Sequence, residues 1–425
     1  MSSRCFPLVL AIALLVVADM SAAAQTPPPY RLPFGPNTQD AERPDQFTLA
    51  GSLYAGADDS SQFATGGVLD DSLQAGRAYQ GATTAATYLR RRPRLTLMAT
   101  ASSAVRYYSS LNRIGTQRHS AGIGGSLLAS RRLSLRFAQE MSYSPSYQLV
   151  LGRTPAQDGA ALSFDPAGVD YSVGRDKQVS YGSNAGATYI WDRSRDLTLG
   201  YNLSYTNYFK RADFATQQAA VRYTQRLSPG IALRLGYGIG SIGGAGLRST
   251  RHHDLDVGLL YNRSFAFSPR TTLAFSSGST VVSVDAQQHF ELVGGADLTR
   301  LLSRRWSSSL SYRRGLTAID GVPRPYVADS FTGDLNGFVG ARTKVTLQPR
   351  YSRGADVADA TKTFENLTTT ARVDVAVTRH WAIFAEYFDF QYRFAAAPDL
   401  PPVLAAGLNR NGLRWGLALW TPVIR

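Results

Sequence analysis

Residues 197–205 read Leu-Thr-Leu-Gly-Tyr-Asn-Leu-Ser-Tyr, and this stretch decides the fold. Leu197, Leu199, Tyr201, Leu203 and Tyr205 alternate without a break against Thr198, Gly200, Asn202 and Ser204. A repeat of two sends the apolar set to one face of a β-strand and the small polar set to the other, whereas a helix would need a repeat near 3.6. The pattern recurs. Leu133, Leu135, Phe137, Met141 and Tyr143 oppose Ser134, Arg136, Ala138, Glu140 and Ser142. Ile231–Ile239 and Leu413–Leu419 do the same. One such stretch is a weak signal, but a series along the whole chain specifies an all-β protein built of two-faced strands.

The links between these strands come in two kinds. Tight, basic links occur at Ser130-Arg131-Arg132, Asp192–Asp196, Ser303-Arg304-Arg305 and Thr378-Arg379-His380. Between them lie longer polar or glycine-rich loops at Asp58–Arg77, Ser144–Asp176, Gly240–Thr250, Leu316–Val327 and Ala395–Leu408. Short turns at one end and long loops at the other are the habit of transmembrane barrels of the bacterial outer membrane. About 18 strands are expected (16–18), the first near 46–57 and the last near 409–420. Strand lengths suit a tilted crossing of the bilayer. An even count puts both termini on the periplasmic side. Closure follows from elementary chemistry, because hydrocarbon offers no partner to a free strand edge. Tyr107, Tyr181, Trp191, Trp381 and Trp415 fall near strand ends, where an interfacial aromatic girdle is expected.

The N-terminus reads as an export signal over residues 1–24. Arg4 is followed by the apolar run Leu8–Val17 and by Ala22-Ala23-Ala24. The only cysteine, Cys5, falls inside it. Residues 25–45 are rich in proline and polar side chains and read as an extended periplasmic lead-in or a small plug. Residues 46–425 form the barrel, with Thr421–Arg425 trailing beyond the last alternating strand. No apolar run beyond the signal approaches the roughly 20 residues of a membrane helix. Mean hydropathy is −0.17 although 44% of residues are hydrophobic, which suits strands greasy on one face only. The formal net charge is +14, and only four of the 45 basic residues are lysines. Arginine forks onto carboxylate and phosphate, which suits anionic sugar or lipopolysaccharide. Export excludes a nucleic-acid partner.

Alternation also predicts which side chains line the lumen. Arg106, Arg136, Arg222, Arg234, Arg350, Arg372 and Arg414 fall on the polar parity with Glu140, Asp256, Asp334 and Asp374. Rings of charge set ion preference in pores, so a net-basic lumen predicts passage of neutral or anionic solutes. The same charges could instead pair across strands and brace the wall. No catalytic or phosphate-binding motif is present, so an enzyme is not expected, nor a metal or cofactor. His252 and His253 are adjacent on a strand and must face opposite ways.

The signal, the Pro-rich lead-in, about 18 alternating strands and turns such as Ser130-Arg131-Arg132 together resemble outer-membrane β-barrel porins encoded with bacterial exopolysaccharide export systems. The resemblance spans residues 46–420 and rests on no short motif. It implies a conduit for secreted polysaccharide, working with periplasmic export proteins and inserted by the barrel-assembly machinery. A general solute porin and a closed surface adhesion or structural barrel are the alternatives.

Overall fold

The structure is a computed structural model that describes residues 34, 44–61, 77–108, 114–144, 147–148, 172–174, 177–209, 212–244, 247–265, 268–284, 287–319, 322–395 and 407–424. The expected export signal, most of the expected lead-in and most of the Ser144–Asp176 loop lie outside the described residues. Twenty strands are present among the described residues: β1 (Asp45–Ser61), β2 (Arg77–Arg92), β3 (Leu95–Tyr108), β4 (Ile114–Leu128), β5 (Leu133–Ser144), β6 (Tyr147–Gln148), β7 (Ser172–Gly174), β8 (Gln178–Ile190), β9 (Arg195–Tyr208) and β10 (Phe214–Ser228). They continue as β11 (Ile231–Gly244), β12 (Leu247–Phe265), β13 (Ser268–Val284), β14 (Gln287–Leu301), β15 (Trp306–Ile319), β16 (Val322–Val339), β17 (Thr343–Asp356), β18 (Thr363–Ala376), β19 (Trp381–Ala395) and β20 (Gly407–Ile424). β6 and β7 pair only with each other, inside the long loop. The other 18 form one antiparallel sheet in which each strand pairs with its sequence neighbours, and β1 pairs with β20 to close the cylinder.

Pairing register fixes the two faces. On β9, Leu199 and Tyr201 are exposed on the outside. On the opposite parity, Asn202 accepts a hydrogen bond from the Asn184 amide of β8, and the hydroxyls of Thr198 and Thr188 meet at 3.2 Å. The outer wall carries Leu53, Leu235, Val257, Leu310, Ile383 and Leu417. Outward rings also stack across strands, as Tyr261 on Phe275 at 5.4 Å and Tyr312 on Phe331 at 4.9 Å. A closed cylinder with an apolar outer belt and a polar inner face is an integral outer-membrane barrel: its wall has no free edge at closure and its greasy side has only lipid to face.

The tight turns share one local mechanism. Ser130 Oγ accepts the backbone N–H groups of Arg132 and Leu133 at 3.2 and 3.0 Å. Asp192 Oδ1 accepts those of Ser194 and Arg195 at 2.8 and 2.9 Å, and Thr378 Oγ1 those of His380 and Trp381, both at 3.1 Å. A short polar side chain thereby stands in for the missing ladder partner. The arginines that follow, including Arg131, Arg193 and Arg304, are left in solvent. In the turn after β16, Gly340 has φ +69°, a conformation that a side chain would strain.

Three sequence boundaries shift. Leu316–Val327, expected as a polar or glycine-rich loop, is largely strand: the Pro325 carbonyl accepts the Val357 N–H at 3.1 Å, so the proline still serves as an acceptor. Gly240–Thr250 is mostly the ends of β11 and β12. Thr421–Ile424 extends β20, with Pro422 opposite Thr48 and a register shift beside Phe47.

Candidate functional site

All eleven lumenal candidates fall on the inward parity of the pairing register. Arg106 lies opposite Gly81, Arg136 opposite Gly186, Arg222 opposite Gly236, Arg234 opposite Gly258 and Arg414 opposite Gly56. At two of these glycines a β-carbon would crowd a ring: on Gly81 it would run into the Tyr54 ring and on Gly56 it would sit 2.8 Å from the Tyr79 ring, so the missing side chain makes room for inward tyrosines beside the arginines. Glu140 lies between Gly122 and Gly182, and Arg350 between Thr332 and Thr368. Asp334 lies opposite Ser309 and accepts from Gln348 at 2.7 Å. Asp256 is known by its backbone register alone, opposite Gly236, since its side chain lies outside the described residues.

Two of these arginines are brought together around a residue that sequence reasoning missed. Arg372 holds Asp374 at 2.7 Å and Glu386 at 3.2 Å, while Arg414 holds the other oxygen of Glu386 at 2.5 Å. Glu386 and Arg414 are nearly fully buried. Rings complete the network: Arg372 sits 4.1 Å over Phe384, Arg414 5.3 Å over Tyr54 and Arg106 4.5 Å over Tyr79. Tyr54 and Tyr79 meet edge to face at 6.2 Å. Phe34, from the Pro-rich lead-in, packs against the cluster of Tyr54, Tyr79, Ala382, Phe384 and Ala418. Nearby, Arg410 pairs with Asp58 in a buried contact between β20 and β1. On this arc the charges brace the wall.

Glu386 escaped notice because β19 carries aromatics on both parities. Phe384, Phe388, Phe390, Tyr392 and Phe394 all point inward, so the sequence does not alternate although burial does. Their partners explain the choice. Phe390, Tyr392 and Phe394 join Phe364, Tyr326, Val322 and Ile319 in a buried apolar cluster with Tyr208, Phe214 and Ile242 of β9–β11. These residues lie toward the long-loop ends of their strands, so an apolar collar occupies the outer mouth of an otherwise polar lumen.

The histidines do not assemble. His252 points inward, 3.8 Å from Asp254, whereas His253 points outward and meets the Tyr237 hydroxyl at 2.7 Å. Among the described residues no group of three side chains suited to a metal ion occurs.

No protein-family model matches the chain, and no curated protein matches it. Among solved structures, the chain is similar to OpdQ of Pseudomonas aeruginosa, with 10% identity and a TM-score of 0.44 over 89% of this chain and 98% of that one. It is similar to OpdL of the same organism, with 13% identity and a TM-score of 0.44 over 89% and 99%. The copper transporter OprC matches with 11% identity and a TM-score of 0.45 over 93% and 82%. Likeness this distant says nothing of substrate, and the assignment to the outer membrane rests on the wall itself.

Proposed function

We propose that the protein is an outer-membrane channel for polar or anionic carbohydrate and that it aids export of a secreted polysaccharide. The observation that carries this reading is the lumenal face of β5 and β8–β11. There Arg136, Arg222 and Arg234 project over glycines from a wall of Ser, Thr, Asn and Ala. Hydroxyls and amides exchange hydrogen bonds with sugars as readily as with water, and guanidinium groups favour carboxylate or phosphate substituents. Purified barrel in planar bilayers tests it: discrete anion-preferring openings are expected, narrowed by added acidic oligosaccharide. A barrel that never conducts removes the channel. Conductance that ignores carbohydrate, with normal surface polysaccharide in a deletion strain, favours a general solute porin.

A second reading has its own support. The apolar collar and the seat of Phe34 both narrow the bore, as a closed barrel with adhesive loops would require. Loop replacements that abolish surface attachment while conductance stays nil favour that reading.

A further inference from the structure

Wall pairing is complete on both sides of β14 and β15 but not between them. β14 pairs with β13 along its whole length, from Arg300 opposite Thr271 to Gln287 opposite Val284. β15 pairs with β16 out to Ile319 opposite Val322. The β14–β15 ladder runs only from Leu301 opposite Ser307 to Gly294 opposite Arg314. Residues 287–293 and 315–319 are all described, and none of them is a partner of another across this seam.

Arg314 stands at the point of separation. Its parity is outward, in register with Asp329, which it holds at 2.9 Å. It also reaches Glu291 at 3.3 Å, on the inward parity of β14, and its Nε–H donates to the Leu292 carbonyl at 3.1 Å. An outward side chain of one strand meets an inward side chain of the next only where the first strand has slipped to the lumenal side of the second. Burial agrees. Val322, Pro325, Tyr326, Val327 and Ala328 are each 9% exposed or less, although neighbouring residues point to opposite faces. β16 also approaches β11 and β12, five and four strands away around the wall. The described outer ends of β15 and β16 are therefore drawn inside, with both faces of 325–328 covered, and they supply Ile319, Val322 and Tyr326 to the collar.

We propose that the paired outer ends of β15 and β16, residues 315–319 and 322–328, are the gate of the channel, and that it opens by zipping the edge formed by residues 315–319 onto β14. The proposal rests on the channel reading for its purpose but not for its geometry. Continuing the existing register would set Leu292 opposite Leu316 and Phe290 opposite Ala318 on the lipid side, and Glu291 opposite Thr317 on the lumenal side. Each pair suits its face. Leu292 and Phe290 already stand 65% and 63% exposed on the outer wall. In the drawn-in state the ladder bonds are given up, collar burial offsets part of that loss, and Arg314 supplies a donor to one freed carbonyl. In the zipped state the ladder is whole and the mouth wider.

The test uses the full chain with Cys5→Ser and a cysteine pair Leu292→Cys/Leu316→Cys. Cross-strand partners in register lie within disulfide reach, and separated strands do not. The control pair Leu298→Cys/Leu310→Cys sits on ladder partners that already exist. The control is expected to cross-link without altering conductance. The seam pair is expected to cross-link under oxidant and to hold conductance at a raised level, reversed by reductant. Control cross-linking without seam cross-linking overturns the gate, whatever the conductance. So does a seam cross-link that leaves an active channel unchanged. A seam cross-link in a barrel that never conducts keeps the moving hairpin and removes the channel reading.

Discussion

The arc from β18 through β20 to β2 and the arc from β14 to β16 use the same side chains to opposite ends. On the first, every ladder runs its full length and Arg372, Glu386 and Arg414 lock the inward face of three neighbouring strands. On the second, the β14–β15 ladder stops at Arg314, which pairs with Asp329 along the intact β15–β16 ladder and with Glu291 across the open seam. A buried arginine–carboxylate pair on a complete sheet is a brace, whereas the half-exposed pair at Arg314 sits where a ladder ends.

The largest expected effect lies on the braced arc. Glu386→Gln removes the charge shared by Arg372 and Arg414; Arg372 keeps Asp374, while the Arg414 guanidinium loses this carboxylate in a site too buried for water to compensate. Breaking a buried pair of this kind costs about 3 kcal/mol. The heat needed to convert the folded barrel to its unfolded mobility in detergent gels should fall markedly, and unaltered heat resistance would break the distinction between the arcs. Arg314→Gln should cost less, about 1 kcal/mol, because its ion pairs are partly solvated. Its signature is kinetic: faster seam cross-linking and more frequent transitions in single-channel traces. Equal rates would mean that Arg314 does not hold the seam.

The contrast also marks what the sequence revealed. Eighteen strands, the tight basic turns and the lumenal parity of Arg106, Arg136, Arg222 and Arg234 were legible, because a repeat of two is a local property needing only neighbours. The brace was half legible: Arg372, Asp374 and Arg414 sit on clean strands, but Glu386 is hidden in β19, whose inward aromatics erase the alternation. The seam was not legible at all. Leu316–Val327 reads as a polar loop in the sequence, and no local pattern says that a paired hairpin lies inside the wall rather than within it.

Smaller effects sharpen the picture. Arg222→Gln with Arg234→Gln lies on neither arc and should leave heat resistance nearly unchanged. The reversal potential under a salt gradient should shift toward cations as two lumenal positive charges are lost. An unchanged potential would move selectivity elsewhere. The smallest effect concerns Asp192, outside the membrane. Hydrogen bonds from Ser194 hold its carboxyl below the usual 3.8. With the folded value depressed, the carboxylate stabilises the turn above the unfolded value and loses that contribution as pH falls through the folded one. Asp192→Asn should therefore lower stability slightly at neutral pH, where the carboxylate contributes, and flatten the acid limb of the pH–stability curve.

The central claim is that successive residues of each strand face lipid and lumen in turn. Spin labels placed singly at positions 197–205 of the membrane-inserted protein test it through their accessibility to lipid-soluble oxygen and to a water-soluble nickel complex. The account predicts oxygen maxima at 197, 199, 201, 203 and 205, with nickel maxima at 198, 200, 202 and 204. Accessibility that varies smoothly along the strand, or that repeats every three to four residues, would contradict it.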